Sequence, residues 1–222
     1  MLLHRIVSDI DDNLPDSPFV RPGGSLLLMV GLPGTGKSSV VEGVQNYFSC
    51  VVISSDNIRL QMRNQPTYTA AEMMLVYEVC YSLIEARLRR GQRVIFDATN
   101  YLAARRQRVM EVARRCGAPV AVCYVQASQD VIRQRMLMRA SNRRRKTDLS
   151  DADWAVYQWM VEAQEPVMVE HLIVDTTNAS VEELGEKVSA YWLDIEANAA
   201  SDLNLQSSSW ARQLNGSHST GR

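Results

Sequence analysis

A glycine-rich segment that ends in lysine and serine is the first candidate for chemistry in this sequence. Residues 31–38 are GLPGTGKS, which satisfies the pattern GxxxxGK[ST] of a phosphate-binding loop. The glycines let backbone N–H groups surround a phosphate, the lysine reaches the β- and γ-phosphates, and the serine hydroxyl can ligate Mg²⁺. The segment therefore predicts binding of a nucleoside triphosphate. The predicted nucleotide-binding residues are Gly31, Leu32, Pro33, Gly34, Thr35, Gly36, Lys37, Ser38 and Ser39.

Two acidic residues follow the next two apolar runs of the chain. Asp56 lies in SSDNIR after residues 51–54, and Asp97 lies in VIFDATN at the end of the run that follows. In a doubly wound sheet, ligands bind at the carboxyl ends of such strands. Asp56 is predicted either as the general base for an attacking hydroxyl or as the N-cap of a short helix. Asp97 is predicted to organise Mg²⁺ or to pair with Arg59.

Polar residues beside these carboxylates are candidates for substrate contacts. Arg59 lies one helical turn from Asp56, so it could hold a substrate phosphate, keep the carboxylate ionised, or form a surface ion pair. Thr99 and Asn100 follow Asp97 and are predicted to face the acceptor substrate or to cap a helix. All of them are expected at the sheet edge that carries the phosphate loop.

The elements that must position these residues alternate along the chain. Five short apolar runs predict buried strands, at residues 25–30, 51–54, 93–96, 119–127 and 171–175. Helical patterns separate them, which predicts an α/β fold with a five-stranded parallel sheet covered by helices on both faces. Polar composition at the ends predicts a flexible lead-in at 1–23, a domain at 24–195 and a disordered tail at 196–222.

Composition excludes several classes of protein. The 222 residues are 46% hydrophobic and 22% charged, which is typical of a globular chain and unlike a disordered or collagen-like one. Lys+Arg 24 against Asp+Glu 25 gives a net charge of −1, so nucleic acid would need a local basic patch. Four cysteines without CxxC spacing predict reduced thiols in a cytoplasmic protein. No apolar run is long enough for a membrane span, and the N-terminus does not resemble a signal peptide.

The phosphate loop together with SSDNIR and VIFDATN is much more specific than the loop alone. The chain lacks the NKxD of switch GTPases and the LSGGQ of transporter ATPases. Over roughly residues 25–195 it resembles the P-loop kinase family of polynucleotide 5′-hydroxyl kinases, zeta-type toxins and AAA-type predicted kinases. The resemblance implies a nucleotide-kinase-like fold that uses ATP and Mg²⁺ to phosphorylate a hydroxyl, with Asp56 as the general base.

The resemblance also implies an arginine-rich lid at about residues 135–150. Arg135 and Arg139 match the family's Arg-x-x-x-Arg pattern and are predicted to act with Lys37 on charge that develops during transfer. The basic run 143–146 lies at the lid tip, where it could meet nucleic-acid phosphates or be solvated. Of Arg105 and its neighbour Arg106, one is predicted to contact substrate and the other to be solvated.

The acceptor stays open at this point, either an oligonucleotide 5′-hydroxyl or that of a nucleoside, sugar nucleotide or other small metabolite. A regulatory module that binds ATP without transferring phosphate is a second hypothesis, and a toxin-like kinase that acts on a cell-wall precursor is a third. Aromatic residues at 154, 157 and 159 could stack on a base or belong to the core. The loop at 175–178 is predicted to pass near the adenine. The oligomeric state is left open by the sequence.

Overall fold

A fully parallel sheet of five strands forms the centre of the molecule, in the order β2-β3-β1-β4-β5. The computed structural model describes residues 2–62, 67–142 and 154–201. The strands are β1 (Ser25–Val30), β2 (Val51–Ser54), β3 (Arg93–Asp97), β4 (Val120–Gln126) and β5 (Leu172–Asp175). The predicted five-stranded parallel sheet is therefore confirmed, with bounds within a few residues of those expected.

Helices follow the strands and lie on both sides of the sheet. They are α1 (Leu2–Asp11), α2 (Lys37–Gln45), α3 (Ser55–Met62), α4 (Ala70–Arg89), α5 (Ala103–Cys116), α6 (Gln129–Asn142), α7 (Trp154–Ala163) and α8 (Val181–Ser201). Among them, α1, α3, α4 and α5 contribute to one core and α2 and α8 to another. The alternation of β1 explains both cores, because Leu26 and Leu28 face the first and Leu27 and Met29 face the second.

A third, smaller core lies above the carboxyl ends of the strands. Leu32 of the phosphate loop packs there with Ile132 and Met136 of α6 and with Tyr157 of α7. This cluster connects the loop to α6, which carries the first residues of the predicted lid, and to α7. The run 143–146 and the rest of the predicted lid tip lie outside the described residues.

The first 23 residues differ from the flexible lead-in that the sequence predicts. Residues 2–11 form α1, which packs on α4, and Ile10 is buried in the core. The buried Arg87 side chain donates to the Asp11 carboxylate at 2.6 Å, and Arg90 also pairs with Asp11. The polar composition suggested weak attachment because it did not reveal that Asp11 has buried arginine partners.

The start of the predicted tail also needs correction. Helix α8 continues to Ser201, and Glu196 forms an ion pair with Arg93 at 2.7 Å. Ala199 is buried as well. The domain therefore extends beyond residue 195, and residues 202–222 of the predicted tail lie outside the described residues.

Helices α2 and α8 approach each other closely at a pair of glycines. A Cβ placed on Gly43 would overlap the Val181 carbonyl and stand 2.8 Å from the Cα of Gly185. Gly43→Ala should therefore cost about 1–3 kcal/mol of unfolding free energy through overpacking, measured by chemical denaturation. The matched control is Glu42→Ala, at an exposed position of the same helix. A Gly43→Ala variant as stable as the control would contradict the close approach.

Two remaining sequence predictions concern the cysteines and membrane-spanning segments. All four cysteines are free and buried, as the reduced-thiol prediction requires. Within residues 2–62, 67–142 and 154–201, no helix is long and apolar enough to cross a membrane.

Candidate active site

The phosphate loop joins the central strand to the first turn of α2. Gly36 is the N-cap of α2 in the left-handed conformation, with φ of 89°. A Cβ there would stand 2.7 Å from Thr176 Oγ1, so the turn requires glycine. No side chain within the described part of the chain caps α2. The N–H groups of its first turn therefore have the geometry that binds an anion.

Lys37 is the first residue of α2 and lines a large cavity above the sheet edge. Its Nζ donates to two loop carbonyl oxygens, at 2.9 and 3.1 Å. Burial lowers the pKa of Lys37, the negative charges of Asp97 and Asp56 oppose that effect, and Arg139 adds to it. The ammonium is thus held against the loop and is not freely solvated.

Ser38 and Asp97 have side-chain oxygen atoms that could bind Mg²⁺ in the cavity. Burial raises the pKa of Asp97, Lys37 opposes the shift and Asp56 adds to it. Ser38 and Asp97 both line the cavity, and carboxylate and hydroxyl oxygens suit Mg²⁺. Among the described residues, no group of three or more acidic, histidine or cysteine side chains is arranged to hold a metal ion. This sparse set fits an ion that takes its other ligands from nucleotide and water.

Asp56 lies in the first turn of α3, directly beyond β2. The N–H of Asn57 donates to Ser54 Oγ at 3.4 Å, so Ser54 provides the cap for this helix. The alternative interpretation of Asp56 as the N-cap is therefore wrong. Its side chain keeps 41% of its surface exposed and lines the cavity.

Arg59 fixes the orientation of the Asp56 carboxylate. Its Nη1 lies 2.7 Å from Asp56 Oδ1, and its Nε lies 3.4 Å from Glu72 on α4. The Arg59 side chain is only 5% exposed and also packs over Tyr68, with 4.8 Å from the guanidinium carbon to the ring centroid. Arg59 is therefore not part of a surface ion pair. Among the described residues its carboxylate partners are Asp56 and Glu72, not Asp97.

Two residues hold the site together through contacts that the sequence did not predict. Glu72 of α4 pairs with Arg59 and accepts from the Thr67 N–H at 2.8 Å. The buried Thr176, after β5, donates from Oγ1 to the Thr35 carbonyl at 2.7 Å. The position of Thr176 at the end of a strand beside β4 was the one signal available for it.

Arg135 and Arg139, the two arginines of the predicted lid, have different surroundings. Arg135 donates to Thr176 Oγ1 at 2.8 Å and to the Gly34 carbonyl at 3.2 Å. It is therefore bound to the phosphate loop itself. Arg139, one turn further along α6, lines the cavity.

Thr99 and Asn100, directly after β3, form hydrogen bonds with the end of β1 and the start of the phosphate loop. Asn100 is fully buried with φ of 46°, and its Nδ2 donates to the Met29 carbonyl at 2.8 Å. The Thr99 carbonyl accepts from the Gly31 N–H at 3.0 Å, while Thr99 itself lines the cavity. The acceptor-facing prediction thus fits Thr99 but not Asn100. The prediction that one of Arg105 and Arg106 is solvated does not hold for Arg106, which is buried and donates to the Asn100 carbonyl at 2.9 Å.

The cavity extends from the phosphate loop to a cluster of aromatic residues and has a volume of about 980 Å³. Arg105 lines the far end, with its guanidinium 3.9 Å from the Tyr77 ring centroid and 5.7 Å from that of Tyr101. Trp159 lines the same end and is 56% exposed. Tyr157, by contrast, is buried in the third core and stacks with the ring at position 154. Of the three aromatic candidates on α7, Trp159 is the one that lines the cavity.

The electrostatics of Asp97 give a testable stability effect. The raised pKa means that the Asp97 carboxyl group binds its proton more tightly in the folded state than in the unfolded chain. The protonated carboxyl group therefore favours folding at acid pH. That contribution is lost as pH rises through the raised pKa. Asp97→Asn should therefore raise the thermal midpoint at pH 7.5 without Mg²⁺ or nucleotide, and raise it less at pH 4. Calorimetry measures both, with the exposed Glu111→Gln as control. A lower midpoint than the parent at pH 7.5 would contradict the inferred cost of ionisation.

Comparison with solved structures places the fold. A gluconokinase from Sinorhizobium meliloti 1021 superposes with a TM-score of 0.58 at 21% identity, over 85% of this chain and 99% of that one. The APS kinase of Mycobacterium tuberculosis in complex with AMPPNP and APS gives 0.58 at 18% identity, over 77% and 98%. Chaetomium thermophilum Kti12 in complex with ADP-AlF3 gives 0.61 at 18%, over 77% and 98%. The chain therefore shares the fold of these three proteins.

Sequence comparison adds curated relatives and a family model. An uncharacterised protein of Mycobacterium tuberculosis is 28% identical over 127 residues, which is 52% of this chain and 26% of that protein. The chain thus spans about a quarter of the length of the curated relatives it matches. The family model described as an AAA domain matches residues 26–167, from β1 through the loop, both acidic strand ends and α7. Since this match covers more than half of the sequence, the chain belongs to the AAA domain family that it describes.

Proposed function

We propose that this protein is an ATP- and Mg²⁺-dependent kinase that transfers the γ-phosphoryl group to a hydroxyl acceptor. The observation that carries the proposal is the position of Asp56. Its partly exposed carboxylate lines the same cavity as the phosphate loop and Lys37. A module that only binds ATP has no need of an oriented carboxylate at that place.

The donor end of the proposed site uses residues 31–39. Backbone N–H groups of the loop and of the first turn of α2 would bind the phosphates, and Lys37 would move from its loop carbonyls to the β- and γ-phosphates. Ser38 and Asp97 would hold Mg²⁺, which offsets charge on the triphosphate when bound. Arg139 would act on the charge that develops during transfer, while Arg135 would keep the loop in shape through Gly34.

The acceptor end would use Asp56 as the general base. The acceptor oxygen forms a bond to the γ-phosphorus, and the bond from that phosphorus to the β,γ-bridging oxygen breaks, which releases ADP. The proton of the acceptor hydroxyl passes to the Asp56 carboxylate. Arg59 would keep this carboxylate ionised and oriented, and Thr99 and Arg105 would contact the acceptor.

The compound that accepts the phosphoryl group determines which kind of kinase this protein would be. Transfer of radiolabel from γ-labelled ATP should be measured on oligonucleotides with free 5′-hydroxyls, on nucleosides, on sugar nucleotides and on small hydroxy acids. Label in the oligonucleotide alone would identify a polynucleotide 5′-hydroxyl kinase. ATP binding without acceptor-dependent turnover on any of these compounds would instead support the regulatory module.

Removal of the metal gives a further prediction. Excess chelator should abolish phosphorylation of the acceptor, and added Mg²⁺ should restore it, because the described residues supply few charges to neutralise a triphosphate. The assay is the same transfer of label, with calcium-saturated chelator as the control. Turnover that persists in excess chelator would contradict the role given to Ser38 and Asp97.

A further inference from the structure

The far end of the cavity carries a positive charge that has no carboxylate partner. Within the described residues, Arg105 forms no ion pair, and its buried Nη1 has no hydrogen-bond partner. Arg59, the other cavity arginine on this side, has two carboxylate partners. A guanidinium that is partly desolvated without a counter-ion is costly, and an anion from outside the chain removes that cost.

The guanidinium of Arg105 is also held in place before any ligand arrives. It lies 3.9 Å from the Tyr77 ring centroid and 5.7 Å from that of Tyr101, so it is stacked between aromatic surfaces. The phenol of Tyr77 is in turn buried, and its pKa is raised by burial while Arg105 opposes the shift. A side chain that is already ordered loses little entropy on binding, which favours tight capture of an anion.

Several apolar and aromatic side chains line the cavity that contains Arg105. Met74, Tyr101, Trp159 and Met160 line the same cavity as Arg105. Met74 is 71% exposed and Trp159 is 56% exposed, so these two side chains form an apolar rim. Such a lining binds a ring or an aliphatic portion of a ligand.

We infer that the acceptor is a small organic anion that carries its hydroxyl together with an apolar or aromatic portion, and that Arg105 binds the anionic group. This inference rests on the proposed kinase function and narrows its acceptor. The cavity volume of about 980 Å³ lies at the upper end for a single small-molecule site. That size accommodates the phosphates of the donor beside a small acceptor. The anion at Arg105 leaves the hydroxyl to approach Asp56 in the same cavity.

The inference is tested with matched pairs of neutral and anionic hydroxyl compounds. The pairs are glucose with gluconate, panthenol with pantothenate, and adenosine with adenosine 3′-monophosphate. Binding is measured calorimetrically with Mg²⁺ and a non-hydrolysable ATP analogue present, and phosphorylation is measured with labelled ATP. At least one anionic member should bind and be phosphorylated at least tenfold better than its neutral partner. An equal response of both members in every pair, or no response from any anion, overturns the inference.

Arg105→Gln separates charge recognition from structure. It should raise the KM for the preferred anion about 10–100-fold, as expected for loss of a charge-assisted hydrogen bond, and should change kcat and the neutral partner much less. Arg108→Gln on the same helix is the matched control, because Arg108 is half-exposed and faces Glu78 at 4.0 Å. An unchanged anion preference in Arg105→Gln also overturns the inference.

Failure of the kinase proposal would look different. If ATP with Mg²⁺ neither binds nor loses its γ-phosphate, the kinase proposal fails whatever the anions do. If ATP binds and label passes to oligonucleotides or neutral compounds alone, the kinase proposal stands and the anionic small acceptor is excluded.

Discussion

Asp56→Asn is expected to lower acceptor phosphorylation by about 10²–10⁴-fold while ATP binding is retained. Asparagine keeps the size of the side chain and can still accept a hydrogen bond from Arg59, but it cannot take a proton at neutral pH. Because Ser54 rather than Asp56 caps α3, the substitution leaves the start of the helix intact. Single-turnover transfer of label measures the rate, and nucleotide titration measures the affinity.

Glu111→Gln is the matched control for this change. Glu111 pairs with Arg114 at the same i,i+3 spacing, at 3.3 Å, on an exposed face of α5. It should phosphorylate the acceptor at the parental rate and melt at the parental temperature. If Asp56→Asn retains activity within a few-fold of the parent, the base lies elsewhere and Asp97 is the next carboxylate in the cavity.

Lys37→Met is expected to lower kcat/KM for ATP by about 10²–10³-fold, the usual effect of losing one preorganised charge donor at a reacting group. Methionine keeps the aliphatic length and removes the ammonium. The folded state should survive, because burial already disfavours the charged form of Lys37, as its lowered pKa indicates. Steady-state kinetics and thermal melting are both needed.

Lys187→Met serves as the control for the loss of a lysine. Lys187 on α8 donates to the Ile173 carbonyl at 3.2 Å, and so makes the same kind of backbone contact at an exposed position. Near-parental kinetics are expected for this control. Near-parental kinetics for Lys37→Met itself would remove Lys37 from the donor site and with it the assignment of the loop.

Local sequence patterns were sufficient to predict the strands and the phosphate loop. Strands such as residues 51–54 were recognisable because the segment carries no charged residue and is bounded by turn residues. The phosphate loop was recognisable because its glycines and Lys37 must follow one another directly. The pairing of Asp56 with Arg59 was also within reach, since three residues on a helix place two side chains on one face.

Contacts between distant segments were beyond such patterns. Asn100 and Arg106 look like exposed polar residues in the sequence, yet each is buried because backbone carbonyls of other segments accept from it. The same holds for Asp11, whose partner Arg87 lies on a helix far along the chain. Burial of a polar group depends on whether a partner exists, and the partner is fixed by the tertiary fold.

The central place of β1 has a consequence for how the chain is made. Its residue Leu27 lies opposite Ile95 on one side and Ala121 on the other, so both neighbours are synthesised long after it. During translation the apolar run 26–30 leaves the ribosome with no partner strand, and the phosphate loop lacks its contacts with Arg135 and Thr176 until α6 and the end of β5 have been made. The nascent chain therefore carries this apolar run without a partner strand until the residues of β3 and β4 have been made.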